Sequence, residues 1–344
     1  MKPSPLPTLR FDDPAPMRVA SMLSRLGYST RVVGGAVRDS LAGKVPKDID
    51  LGTDALPEAV TAAADAAGVR WIGTGLRHGT VTLVVEGRPY EVTTLRRDLE
   101  TDGRHATVEF VDDFRTDAAR RDFTINAMSC DMDGRLHDYF GGLEDLEARR
   151  VRFVGDARDR MREDHLRILR FFRFRLGYGG NEDGGVFRSV SLEAAGLEKV
   201  SVERVWSEMK RMLASPAGVD QVPLMERLGV CGATGFAPAG FHTARSAASA
   251  GAPPAAVLGM LSGGNAAEMA SRWKLSTAET AQALTAEAVI EDGAPDPSHW
   301  RRAVASGMDA DVAAAVLAAT GREAAAAAAR IPVPDFPLRG RDLV

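Results

Sequence analysis

Residues 32–50 constrain the fold more than any other part of the chain. They open V-V-G-G-A-V-R-D and close on Asp48-Ile49-Asp50. An apolar run, a double glycine and a helix-compatible stretch describe a strand, a tight turn and a helix start. Ile49 and Leu51 alternate with Asp48 and Asp50, which predicts a half-buried strand. Successive strand side chains point to opposite faces, so both carboxylates would project from the same one. Gly34 and Gly35 let backbone come close to a polyanion, helix-start N–H groups favour negative charge, and Arg38 supplies a multidentate phosphate donor. An Asp-x-Asp alone is usually a solvated strand edge, and a lone Gly-Gly usually a turn. Their combination with an arginine is far more specific.

The surrounding texture is mixed. Residues 17–26 read as an amphipathic helix closed by Gly27, 29–33 as a strand, 37–41 and 57–67 as helices. Residues 78–85 and 88–94 read as strands joined at Glu86-Gly87. On the second of these, Tyr90 and Val92 would pack inward while Glu91 points the other way. Asp48, Asp50 and Glu91 would then share one sheet face. Three such carboxylates repel unless a cation lies between them, and hard oxygen ligands favour Mg²⁺. From Leu146 the spacing of Leu166, Leu169, Phe172 and Leu176 is helical, and no strand-like alternation returns. Past Gly232 the chain turns alanine-rich. The expected fold class is α+β: a mixed sheet with helices, then an all-helical remainder. The expected divisions are a loose lead over 1–16, a head over 17–145, a helical neck over 146–215, and a helical body with a partial tail over 216–344.

Composition sets few limits. A formal net charge of -4 over 344 residues means that any nucleic-acid partner must meet a local basic surface. Two cysteines, Cys130 and Cys231, are too few for a disulfide framework and lack zinc spacing. No run nears the roughly 20 apolar residues of a membrane span, and no signal-peptide order is visible. A cytoplasmic protein without a membrane is the expectation.

Residues 162–174 read REDHLRILRFFRF. On a continuous helix Asp164, Arg167, Arg170 and Arg173 would form one row, opposite Leu166, Leu169 and Phe172. Periodicity alone fits an amphipathic helix with internal ion pairs. The chemistry of the first pair says more: a carboxylate only accepts hydrogen bonds and a guanidinium only donates. Side by side they complement an amino group next to a ring acceptor, the edge that cytosine and adenine share. Uracil and guanine would leave buried groups unmatched, at roughly 1–3 kcal/mol each.

Residues 33–54 (VGGAVRDSLAGKVPKDIDLGTD) resemble the head of class II tRNA nucleotidyltransferases, the bacterial CCA-adding enzymes, which are related to poly(A) polymerases within the polymerase-β-like superfamily. The resemblance implies that Asp48 and Asp50 hold two catalytic metals and that the Gly34-Gly35 turn and Arg38 meet the nucleotide, with Glu91 in the third acidic position. Residues 119–128 (ARRDFTINAM) resemble the motif that contacts ribose and triphosphate, which points to Arg121, Asp122 and Asn126. Residues 138–146 (DYFGGLEDL) resemble the head–neck joint, where two glycines suit a hinge. Residues 162–174 resemble the Glu-Asp-x-x-Arg block, in which Asp164 and Arg167 would choose the base while Arg170 and Arg173 support them or reach phosphate. Residues 201–213 resemble the next neck helix, whose Glu203 and Arg204 would brace it.

The implied activity is template-independent addition of C, C and A from CTP and ATP to the 3′ end of tRNA, with Mg²⁺ and pyrophosphate release. No protein partner is implied. An A-adding enzyme, a poly(A) polymerase and a silent RNA-binding head are the alternatives. Residues 73–84 resemble the CCA-type strand, and the stretch between Glu91 and Arg120 keeps the full-length loop that CC-only enzymes shorten. The resemblance fades after about Leu228, and where residues 336–344 stand the family usually continues with more tail helices.

Overall fold

Alternation builds the sheet that carries the acidic segment. In Thr80–Val85 the residues Val81, Leu83 and Val85 are buried while Thr80, Thr82 and Val84 are half-exposed. The computed structural model describes residues 9, 13–101, 106–293, 296–305 and 308–331. The expected lead over 1–16 and the segment 336–344 lie mostly or wholly outside them, as does the tip of the loop before Arg120. Two compact units emerge, one of residues 1–167 and 177–189, the other of residues 168–176 and 190–344.

The first unit runs α1 (Ala15–Ser24), β1 (Thr30–Val33), α2 (Gly35–Leu41), β2 (Leu51–Thr53), α3 (Pro57–Ala66), β3 (Arg70–Gly75), β4 (Thr80–Val85) and β5 (Arg88–Thr94). It continues through β6 (Arg96–Thr101), β7 (Ala106–Phe110), α4 (Phe114–Ala119), β8 (Met128–Cys130), β9 (Leu136–Asp138), α5 (Gly142–Glu147) and α6 (Ala157–Glu163). The seven-stranded sheet has the order β3-β4-β5-β2-β1-β8-β9, and β6 pairs with β7 apart from it. Only β2 and β5 are parallel in the sheet. Val32, Leu51, Val81, Leu83 and Val92 pack with Val19 and Leu23 of α1 and Val60 and Ala64 of α3 into one core. Glu86 and Gly87 both take positive φ, 52° and 79°, the two-residue turn whose twist suits a hairpin.

Periodicity missed β3, β8, β9 and the β6–β7 pair. The first is glycine-interrupted, and β8 and β9 are three residues each, all of β8 buried. A segment that short carries no alternation to read. The strand expected from His78 begins at Thr80, after a 3₁₀ turn over Leu76–His78.

The helix α7 (Leu166–Tyr178) passes through both units, as does α8 (Gly184–Glu193). In the second unit, α9 (Val202–Leu213) buries Val205, Trp206, Met209, Met212 and Leu213. The helix Pro254–Leu261 is buried on all sides from Ala255 onward. It lies so close to the helix Thr277–Asp292 that a Cβ on Gly259 would sit 2.3 Å from the Ala283 carbonyl oxygen. The latter helix starts with a capping box between Ser276 and Glu279. Glu279 also accepts from Lys210 Nζ at 2.7 Å and from Trp206 Nε1 at 3.1 Å.

Burial alone would raise the Glu279 pKa, but the hydrogen bonds from Lys210, Ser276 and Trp206 outweigh it and hold the group at about 2. A depressed carboxyl contributes stability above its unfolded pKa and loses it as pH falls through the folded value. Glu279→Gln should therefore be less stable than the parent at neutral pH, with the gap closing between about pH 4.5 and about pH 2. Urea midpoints across a pH series measure this, and a constant gap would contradict it.

Candidate functional site

Asp48 and Asp50 do not lie on the strand but in the extended approach to it, since β2 begins at Leu51. The strand-like bonding still reaches Asp50, whose carbonyl accepts from the Val33 N–H at 3.0 Å. Gly52 explains the tight fit that follows: a Cβ there would sit 2.9 Å from Val33 Cγ1. Both aspartates are exposed, Ile49 is half-buried and Leu51 fully buried, as the alternation predicts. Glu91 is exposed between buried Tyr90 and Val92, and Val92 pairs with Leu51 in the parallel ladder.

Although Asp50 is exposed at the surface, protein crowding around its carboxyl limits hydration and, with the negative charges of Glu91 and Asp48, pushes it above the ordinary carboxylate range against the pull of Arg121. A hard divalent cation fits such a donor set, because it relieves that repulsion. Among the described residues no three His, Cys, Asp or Glu side chains close into a metal cage. Asp48 and Asp50 form an open pair, with Glu91 close enough to raise the Asp50 carboxyl. An open arrangement suits an ion that completes its shell with waters and phosphate oxygens.

The arginine that acts on Asp50, Arg121, is itself anchored. Arg121 donates to Asp117 through Nε at 3.3 Å and Nη2 at 3.0 Å, and to the Asn126 carbonyl at 3.4 Å. Arg120 holds the other Asp117 oxygen at 2.8–2.9 Å. Burial would raise the Asp117 pKa, but the two guanidiniums win and lower it. This anchor was missed, although Asp-x-x-Arg-Arg places both arginines one helical turn away. Gly34 has φ 66°, and a Cβ on it would meet Arg121 Nη1 at 2.7 Å. Its N–H donates to the Met128 carbonyl at 3.0 Å. Gly35 carries no such strain. Buried Asp122 accepts from Asn126 Nδ2 at 3.0 Å, and Asn126 Oδ1 accepts from Arg38 Nη1 at 2.5 Å. Gly34, Arg38, Arg121, Asp122 and Asn126 are therefore one connected cluster.

The expected glycine hinge is built differently. Gly141 does use left-handed backbone, at φ 76°, but a Cβ on Gly142 would lie 2.3 Å from the Thr124 carbonyl oxygen. Asp138 accepts from the N–H groups of Phe140, Gly142 and Leu143. Asp145 is fully buried and takes Arg150 at 2.6 Å, Arg152 at 2.8 Å and the Thr124 hydroxyl at 2.5 Å. Close packing and the buried Asp145 carboxylate, held by two partly exposed arginines, strap this segment down.

The continuous helix expected over 162–174 is broken at Asp164, whose φ of -154° and ψ of 103° are extended. Asp164 accepts from the Leu166 N–H at 3.1 Å, and its carbonyl from the Arg167 N–H at 3.0 Å. An aspartate that can bond the next N–H groups favours such a helix start. Asp164 and Arg167 are thus close along the chain at a helix junction, not two steps of one helical row. Arg167 Nη1 donates to Glu163 at 2.5 Å and to the Arg160 carbonyl at 2.9 Å. Arg160 in turn donates to Glu163 and to the Arg121 carbonyl, each at 2.8 Å. Glu163 and Arg160 are the anchors that periodicity did not single out.

In the second unit Arg173 donates to Glu208, and Arg170 lies 3.8 Å from the same carboxylate. Glu203 pairs with Lys274 Nζ at 2.7 Å, and the carboxylate that holds Arg173 is Glu208. Glu208 is 4% exposed. Its place beside Val205, Met209 and Met212 was the available signal, because a carboxylate within an apolar face needs a cation.

Residues 30–152 match the family model described as the poly(A) polymerase head domain. The chain is 45% identical over 225 residues to a mitochondrial CCA tRNA nucleotidyltransferase 1 of Danio rerio, covering 63% of this chain and 52% of that one. It is 41% identical over 214 residues to the CCA-adding enzyme of Geobacillus thermodenitrificans, covering 62% and 52%. The chain therefore spans about half the length of the curated relatives it matches. Its fold is similar to that of the Bacillus stearothermophilus CCA-adding enzyme solved in complex with CTP. There the TM-score is 0.75 and the identity 31%, over 91% of this chain and 78% of the other.

The two turn glycines should behave differently. Gly34→Ala should lose roughly 1–3 kcal/mol of stability from its positive-φ backbone alone, and more if Arg121 cannot give way. Gly35→Ala, whose Cβ would find only Arg38 Nη2 at 3.6 Å, should be near neutral. Urea unfolding of the two variants measures this, and equal losses would refute it.

Proposed function

The chain belongs to the family of CCA-adding tRNA nucleotidyltransferases, and on that premise we propose that it adds C, C and A from CTP and ATP to the 3′ end of tRNA without a nucleic-acid template. The observation that carries this reading is the gathering of Asp48, Asp50 and Glu91 in the electrostatic reach of Arg121. Beside them Arg38 is fixed on Asn126. The RNA 3′-hydroxyl attacks the α-phosphorus of the nucleotide, and pyrophosphate leaves.

Asp48 and Asp50 would hold Mg²⁺, which when bound makes the hydroxyl more acidic and steadies the leaving group. Glu91 adds negative potential that strengthens cation binding at the pair. Arg38 and Arg121 offset charge on the triphosphate, and Asp122, Asn126 and Asp117 hold them in place. Gly34 and Gly35 form the turn against which the nucleotide lies. Asp164 and Arg167 read the base edge, the carboxylate accepting from the amino group and the guanidinium donating to the ring acceptor. With one face of Arg167 committed to Glu163, only its remaining N–H groups serve the base. Arg170 and Arg173, held on Glu208, reach RNA phosphate.

The head, neck and body divisions given above belong to the same proposal, as does a cytoplasmic location. No helix among the described residues is long and apolar enough to cross a membrane.

Extension of three tRNA substrates, lacking CCA, CA or only A, tests the reading with labelled CTP and ATP. All three should grow to one defined CCA end in Mg²⁺ and stop growing in excess chelator. Growth of only the last would identify an A-adding enzyme, and unlimited adenosine tails a poly(A) polymerase. Asp50→Ala should lower the rate by roughly a thousandfold, the scale seen when a transition-state electrostatic partner is removed, while the urea midpoint stays close to the parent's. Near-normal activity of that variant would sink the proposed role.

A further inference from the structure

The support of Arg38 extends to a residue that no motif identified. Arg38 Nε and Nη2 both donate to Asp39 Oδ1, at 2.9 and 2.7 Å. The Tyr178 phenol donates to that same oxygen from 139 residues away. The Tyr178 ring also lies against the arginine, with 4.4 Å between Arg38 Cζ and the ring centroid. Lys44 Nζ stands 4.0 Å from the centroid of the same ring and donates to the Gly177 carbonyl at 3.3 Å. The Lys44 N–H donates to the Asp39 carbonyl at 2.8 Å, and Lys44 opens the stretch that leads to Asp48 and Asp50. One half-buried aromatic residue thus touches the arginine, the carboxylate that orients it and the start of the acidic segment. All of these residues belong to the first unit.

We infer that Tyr178 is a positioning residue for the incoming nucleotide: with Asp39 it holds the Arg38 guanidinium ready for the triphosphate. The inference rests on the reading that Arg38 meets that triphosphate. An arginine is a long, rotamer-rich side chain, and one already fixed loses less freedom when its ligand arrives. The ring contributes cation–π attraction and the hydroxyl a hydrogen bond that keeps Asp39 turned toward Arg38. Desolvation and the Asp39 contact raise the phenol's pKa, so the hydroxyl remains a donor at neutral pH. Tyr178 is half-buried and lies outside the core that the sheet forms with α1 and α3.

Tyr178→Leu removes both interactions, and Tyr178→Phe removes only the hydroxyl. Calorimetric titration with CTP gives Kd without RNA, and extension of tRNA lacking CCA gives KM and kcat. Loss of pre-organisation should raise the CTP Kd and nucleotide KM about tenfold in Y178L and about threefold in Y178F. The kcat should stay within about twofold, and the KM for tRNA and the urea midpoint should hardly move. In an Arg38→Ala background the Y178L effect should vanish, since the two act through one guanidinium. An unchanged CTP Kd in Y178L, or an equal loss in the Arg38→Ala background, would overturn the inference. A parent protein that binds CTP but never extends tRNA would overturn the proposed function and leave this inference to be decided by Kd alone. A parent that extends tRNA while Y178L keeps its nucleotide KM would overturn the inference alone. A parent that does not bind CTP would overturn both.

Discussion

Arg38 on Asp39, Arg121 on Asp117 and Arg167 on Glu163 share one arrangement: a guanidinium tied to a nearby carboxylate, and Arg121 so held acts on Asp50. The site depends on those ties. Asp48, Asp50 and Glu91 repel one another, and the obvious relief would be for a nearby arginine to fold onto them. A cation held at a stated place by its own partner cannot do so. It keeps part of its charge available to a ligand while remaining paired, which avoids the large penalty of an unpaired buried charge. Arg173 on Glu208 repeats the device in the second unit.

Close backbone approaches set the places of these pairs. Gly52 admits Val33, Gly34 admits Arg121, and Gly142 admits the Thr124 carbonyl. Where a Cβ would intrude by an ångström or so, the packed neighbours have nowhere to go, because protein interiors are dense. The glycine turn is therefore as much a packing requirement of the arginine cluster as an opening for a ligand. Its first glycine also supplies the left-handed backbone that other residues avoid. The same density straps residues 138–146, where Asp145 is held by Arg150, Arg152 and Thr124.

The local half of the site was legible in the sequence. Asp48 and Asp50 around Ile49, Glu91 between Tyr90 and Val92, the turn at Glu86-Gly87 and the helical texture after Leu146 all stand where alternation and turn chemistry place them. The Asp-x-x-Arg-Arg spacing around Asp117 and the carboxylate of Glu208 within an apolar helix face are readable there too. The break at Asp164 was harder. Helical periodicity runs unbroken through residues 162–174, and only the capping tendency of an aspartate favours a stop there.

What the sequence determined by itself is which short segments turn, alternate or coil, and which side chains leave a given strand face together. Those properties follow from backbone sterics and from the 2.0- and 3.6-residue periods, which act within a few residues. The tertiary structure alone decided that Tyr178 lies against Arg38, that Arg160 reaches the Arg121 carbonyl, that Arg173 finds Glu208, and that three-residue strands join the sheet as β8 and β9. Hydrogen bonds and ion pairs act over a few ångströms and carry no mark of sequence separation. Their partners are chosen only when the packing of distant segments brings them within reach.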